Sequence, residues 1–233
     1  MSHNLPLKVP GISRYLVQRG IHGSRCFFAD DDYLVYLDYL KEGMERYRCA
    51  IHAYALAAGE VRLLVSSERE DRISPMMRCV SGRYVEYVNY IYQRNGAFWE
   101  RRLDSLVAQS ARAVLGCYHG IESYPVRACL AASPADYRWS SYNHHAYGCE
   151  DAVIRDHVAY LGLGATESER QLAYRESFWQ PLEDAAPAGI SAPAHCSLAA
   201  GRNRRKDRIV PLAQRVRPGR TAPAMKTEYA IAA

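Results

Sequence analysis

The chain has 233 residues, is 48% hydrophobic and 24% charged, and carries a formal net charge of +5. These values fit a folded domain of ordinary size plus an appendage and exclude a disordered or fibrous chain. No apolar run approaches the ~18 residues of a membrane-spanning helix, and MSHNLPLKVPG lacks the pattern of a signal peptide, so a cytoplasmic location is expected.

In chain order, residues 12–19 (ISRYLVQR) alternate as a strand that ends at Gly20. DDDYLVYLDYLKEGMERY opens with acids suited to a helix N-terminus, and Tyr33, Leu37, Leu40, Met44 and Tyr47 predict one buried face. CAIHAYAL and EVRLLVSS read as two strands joined by a short Ala/Gly turn. A second amphipathic helix is expected from about Ser74, with Pro75 in its first turn and a stripe of Ile73, Met77, Val80, Tyr84, Val88 and Ile91. QRNGAFWERR is a basic loop with aromatics, and LDSLVAQ a further strand. A helix follows from about Ser110 and stops near Pro125, and Ser133-Pro134 with Asp136 marks a cap. The order β-α-β-β-α-β-α predicts an α+β domain, with helices on one face of an antiparallel sheet and the other face free for a ligand.

From about residue 183 the chain becomes Pro/Ala/Gly rich, as in a linker. The basic stretch 201–220 then carries Arg202, Arg204, Arg205, Lys206, Arg208, Arg215, Arg217 and Arg220 against Asp207 alone. The division is therefore a domain over 8–180 and a linker with basic tail over 181–233. A concentrated basic segment suggests a polyanion partner, with a solvated tail as the alternative. The seven cysteines are scattered without a CxxC pair and read as reduced thiols, mostly in the core.

The chain resembles the REP-associated tyrosine transposases, relatives of the single-tyrosine HUH transposases. The resemblance runs over about residues 8–180. It rests on VPGISRYLVQRG, FFADDDYLVYLDYL, IHAYAL with VRLLV, GRYVEYVNYIYQRNGAFWERR, PVRACL and SPADYRWSSYNHHAYG. It implies the HUH transposase fold, a ferredoxin-like or RRM-like antiparallel sheet with helices packed on one face. It also implies cleavage and rejoining of single-stranded DNA near a hairpin, by a Tyr that forms a 5′-phosphotyrosine. Two His on one strand, separated by one apolar residue, would hold the divalent metal, since a period of two sets both on one sheet face.

Placed on this sequence, the two His positions fall on Glu60 and Arg62 of AAGEVRLL. The nucleophilic Tyr falls on Gly120 and the polar third ligand on Tyr124 of HGIESYPVRAC. Arg62 is always cationic and cannot ligate a metal. The expectation is a DNA-binding protein for hairpin or single-stranded DNA, with no intact catalytic residues and no cofactor. The alternative is a displaced site in which Tyr124 acts with Glu60 and magnesium or manganese. Glu60 and Arg62 read as a surface ion pair, or Arg62 as a phosphate contact.

Arg19, Arg83, Arg94, Arg101, Arg102 and Arg127, with Arg204, Arg205, Arg215 and Arg217 of the tail, are candidate DNA contacts. Phe98 and Trp99 are either base-stacking platforms or core, and the tyrosines of helix 84–92 are expected to pack. His119 is a candidate DNA contact or a bystander, and Tyr118 should point away from the Gly120 side of the helix. His144 and His145 have no carboxylate or thiol at ligand spacing and read as loop histidines.

Overall fold

Alternation in ISRYLVQR and in the two halves of the hairpin builds the sheet, which a computed structural model describes over residues 12–178. Strands β1 (Ser13–Arg19), β2 (Cys49–Ala57), β3 (Glu60–Ser67) and β4 (Asp104–Ala108) form one antiparallel sheet in the order β2-β3-β1-β4. With helices α1 (Asp30–Tyr47) after β1 and α2 (Ile73–Tyr92) after β3, the architecture is α+β and ferredoxin-like. The tail residues Arg204, Arg205, Arg215 and Arg217, the linker, and the domain end beyond residue 178 lie outside the described residues.

Period-two alternation sends Leu16, Val61, Leu63 and Val65 to the face that α1 and α2 cover. Tyr36, Leu40 and Met44 of α1 meet Met76, Met77, Val80, Tyr84 and Val88 of α2 there. Phe98 and Trp99 are buried against Tyr84 in this layer, so the core reading of that pair holds and the stacking one does not. Tyr84, Tyr87 and Tyr92 pack or hydrogen bond as expected, whereas Tyr90 is exposed.

The second face is not free. Tyr15, Val17, Ala53, Ala55 and Leu64 pack against α3 (Ala111–Glu122) and, beyond it, α5 (Tyr142–Tyr147), α6 (Val158–Leu161) and α7 (Glu167–Phe178). Sequence order alone could not show this, because these helices are short and their partners lie far along the chain. A bulge in β2 between Ile51 and Ala53 switches the strand's parity. It leaves Ile51, Tyr54 and Leu56 on the first face while Ala53 and Ala55 turn small side chains toward α3.

Ser110 caps α3 by accepting from the Ala113 amide at 3.1 Å. The helix ends at Ser123, and Pro125 sits in the first turn of the short α4 (Tyr124–Arg127). Ser133 caps the turn at Pro134–Asp136, as its sequence predicts. Gly20 has no room for a side chain, since a Cβ would stand 2.3 Å from the Ser24 carbonyl oxygen. The loop after β1 thus folds tightly over the hairpin turn, where the Gly20 amide donates to the Gly59 carbonyl at 3.0 Å.

Cys26, Cys49, Cys79, Cys117 and Cys149 are free thiols, whereas Cys129 is disulfide-bonded, which departs from the expectation of seven reduced cysteines. Among the described residues no helix is long and apolar enough to cross a membrane.

Candidate functional site

Because β3 has a period of two, Glu60 and Arg62 share the second face with Tyr15 and Val17 of β1. The registers Arg19↔Glu60 and Val17↔Arg62 bring Arg19 alongside the pair. α3 and α4 then lie over this end of the face. The pair is not a surface feature: Glu60 is 8% exposed and Arg62 4%.

The Arg62 guanidinium is committed on three sides. Its Nε donates to Glu60 Oε1 at 2.5 Å and one terminal nitrogen donates to the Tyr15 hydroxyl at 2.5 Å. Its plane lies over the Tyr124 ring, 3.8 Å from the centroid, a cation–π contact in a desolvated place. The other Glu60 oxygen faces Arg19 Nε at 3.2 Å, and Arg19 also donates to Asp104 at 2.5 Å. Burial, then the Glu60 carboxylate, pushes the Tyr124 phenol up to about 12. Burial also raises the Tyr15 phenol, although the Arg62 cation works against it.

Gly120 lies one turn before Tyr124, and a Cβ there would meet nothing within 4 Å. Packing therefore does not demand a glycine. Arg127 folds back over this turn, donating to the Gly120 carbonyl at 2.6 Å and to the Ser123 hydroxyl. Burial and the nearby Arg62 cation both lower its affinity for its proton. The four positions expected to hold metal and nucleophile thus gather in one place, filled by a packed ion-pair network.

A divalent metal does not fit this arrangement. Both Glu60 oxygens already face guanidinium groups, and Arg62 and Arg127 bring two cations to the place a third would occupy. No reaction step through a metal is derived at this position.

Of the remaining candidates, Arg94, Arg101 and Arg102 stand with Arg19 at the end of the sheet where β1 leaves and β4 begins. The Glu100 amide donates to the Arg19 carbonyl at 2.8 Å, which fixes the approach to Arg101 and Arg102. Arg94 lies over Phe28 and Phe98, and Arg102 is paired only at 3.6 Å with Asp104, its side chain 91% exposed. Arg83 is not part of this group; α1 and α2 hold it between Glu42 and the Tyr39 ring.

His119 is buried between Tyr174 and Phe178, with Nε2 3.3 Å from the Ser177 hydroxyl, so it serves the α3–α7 contact. Tyr118 is fully buried in the second-face core, away from the Gly120 surface. Sequence reasoning missed Tyr15 and Asp104, the partners of Arg62 and Arg19. Cross-strand register was the signal, and it becomes legible only once β1 is placed between β3 and β4. The pair His144-His145, read as loop histidines, lies on α5 beside Asp156.

No family model matches the chain, and no curated protein does. Among solved structures the chain is similar to a REP-associated tyrosine transposase bound to a REP hairpin. The identity is 12%, the match covers 68% of this chain and 93% of that one, and the TM-score is 0.52. The likeness is one of fold.

Proposed function

We propose that this chain binds DNA, recognising a hairpin or its single-stranded flank, and does so without metal-dependent strand cleavage. The arginine rim at the sheet end carries this reading. Arg94, Arg101 and Arg102 are exposed around one end of a fold whose structural neighbour is held on a hairpin, while Arg19 beside them is engaged by Glu60 and Asp104. Guanidinium pairs with phosphate bidentately, and neutralised phosphates release counterions, so the affinity rests on charge.

The absence of cleavage is inferred from chemistry at the filled site. Arg62 cannot ligate, Gly120 offers no hydroxyl, and the Tyr124 phenol is buried and harder to deprotonate than usual. The second reading, the displaced nucleophile, would rest on the Tyr124 phenol lying beside the Glu60 carboxylate. The effect has the wrong sign for activation, since the carboxylate raises the phenol pKa.

Fluorescence anisotropy with a labelled hairpin bearing single-stranded flanks tests the binding. Affinity should fall with salt by about 0.7 log units per tenfold salt for each phosphate contacted. Arg101→Ala with Arg102→Ala should lower that slope by about 1.4 and weaken binding. Negligible binding at low salt overturns the proposal. For cleavage, protein and hairpin are incubated with Mn2+ and run on a denaturing gel. A covalent adduct that vanishes in Tyr124→Phe would establish the second reading.

A further inference from the structure

Away from the arginine rim, α5 and the segment before α6 bring three metal-binding side chains together. Adjacent residues on a helix project about 100° apart, so two neighbouring histidines reach one point only where another element meets them. The segment before α6 supplies that element. Its Arg155 amide donates to the Ile51 carbonyl at 2.8 Å, which runs it along the edge of β2 and sets Asp156 beside both rings. Asp156 Oδ1 lies 3.3 Å from His144 Nε2 and 4.0 Å from His145 Nε2, and the three donor atoms fall within 4.8 Å of one another.

Each imidazole is anchored through its other nitrogen. His144 Nδ1 lies 2.8 Å from the Cys149 carbonyl oxygen, which can only accept, so Nδ1 carries a proton and Nε2, facing Asp156, is the nitrogen a metal would take in place of any proton shared with that carboxylate. His145 Nδ1 lies 2.7 Å from Glu122 Oε1, a carboxylate that is itself fully buried and held by the Ser141 and Tyr174 hydroxyls. His145 is fully buried, and its Nε2 has no hydrogen-bond partner while facing Asp156. A carboxylate behind a histidine, with the far nitrogen left open, is the arrangement that orients and strengthens a metal ligand.

We propose that His144, His145 and Asp156 form a binding site for a late divalent transition metal of the zinc class, with Glu122 as the positioning residue behind His145. Two imidazoles and one carboxylate suit Zn2+ or Co2+ and not Mg2+ or Ca2+, which take oxygen ligands. The side chains of His144 and Asp156 are 23% and 31% exposed, which leaves a solvent side for a fourth, water ligand. Arg170 also acts on Asp156 and competes with the ion for its charge. The sequence hid this site because Asp156 lies 12 residues from His144 and reaches it only through the fold.

The test uses the untagged full chain, stripped with a chelator and titrated with Co2+ and then Zn2+. One equivalent of Co2+ should bind with the visible absorption of a tetrahedral ion, be displaced by Zn2+, and raise the melting temperature. Asp156→Asn and His144→Gln, both at partly exposed positions, should weaken Co2+ binding about tenfold or more and abolish the melting shift. His22→Gln, an exposed control, should bind as the wild type does. Absence of stoichiometric Co2+ binding, or equal binding by wild type and Asp156→Asn, overturns the proposal. Asp156→Asn alone decides the matter if His144→Gln does not fold.

Discussion

Glu60 and Arg62 illustrate how burial changes the meaning of a charge pair. On an exposed strand face such a pair is worth at most about 1 kcal/mol, and removing one member is nearly silent. Here the guanidinium is enclosed by Glu60, Tyr15 and the Tyr124 ring. Leaving it unpaired exposes the full cost of a buried charge, about 3–5 kcal/mol. Glu60→Ala should therefore lower the unfolding free energy by about 3 kcal/mol in urea. The double substitution Glu60→Leu with Arg62→Met should recover most of that loss, because the pair is replaced by apolar volume. A loss below about 0.5 kcal/mol for the single variant would mean that the pair behaves as a surface one. The resemblance singled these positions out, and their residue types led to the expectation of no metal there. They could not show burial, which depends on α3 and α4 arriving from far downstream in the chain.

At the scale of elements, the helices themselves were legible and their facing was less so. The spacing of Ile73, Met77, Val80, Tyr84 and Val88 gave the buried stripe of α2 correctly, with Met76 added and Ile91 only partly buried. On α1 the buried line runs through Asp32, Tyr36, Leu40, Gly43 and Met44, whereas Tyr33, Leu37 and Tyr47 flank it. A hydrophobic count cannot find a buried aspartate or glycine. Asp32 accepts from the Phe28 and Ala29 amides at 2.7 and 2.9 Å and from the Tyr87 hydroxyl at 3.0 Å, so its charge is satisfied inside. Gly43 marks the closest approach of α1 to α2, where a Cβ would stand 2.7 Å from Val80 Cγ2. Valine is stiff at χ1 in a helix, so the clash is not relieved by rotation. Gly43→Ala should thus destabilise by about 1 kcal/mol or more despite its better helix propensity. In a Val80→Ala background the same change should stabilise by up to about 1 kcal/mol, since only the propensity term remains. Equal effects in both backgrounds, read from urea midpoints, would show that the contact does not limit helix approach.

For the molecule as a whole, the second layer is tied to the sheet through buried polar groups, and this makes stability depend on pH. His52 sits at the β2 bulge, with Nδ1 donating to the Arg155 carbonyl at 2.5 Å and Nε2 accepting from the Ser66 hydroxyl at 2.6 Å. Only the Nε2 bond needs the neutral ring; burial drives its pKa down to about 3 against the Arg155 carbonyl bond, which favours the cation, with His157 and His145 acting in the same sense as burial and Asp156 against it. The folded pKa lies below the ordinary value near 6.5, so the unfolded chain takes the proton first as pH falls. The stabilisation is present above about pH 6.5 and is lost progressively toward pH 3. At pH 5 His52 alone should cost about 2 kcal/mol relative to pH 7.5. His119 and His157, lowered by burial as well, add to the loss, while His144, raised chiefly by its bond to Asp156 against burial, opposes it. Urea unfolding with chelator present, at steps from pH 7.5 to 5, should show this decline, and His52→Asn should flatten it by about 1.4 kcal/mol per pH unit. If that variant does not fold, the His52 ring resonance of the wild type supplies the check and should stay at its neutral position down to about pH 4. A titration of that ring near pH 6.5, or stability that does not change between pH 7.5 and 5, would mean that the imidazole is solvated and that β2 is not bound to the 150–157 segment through it.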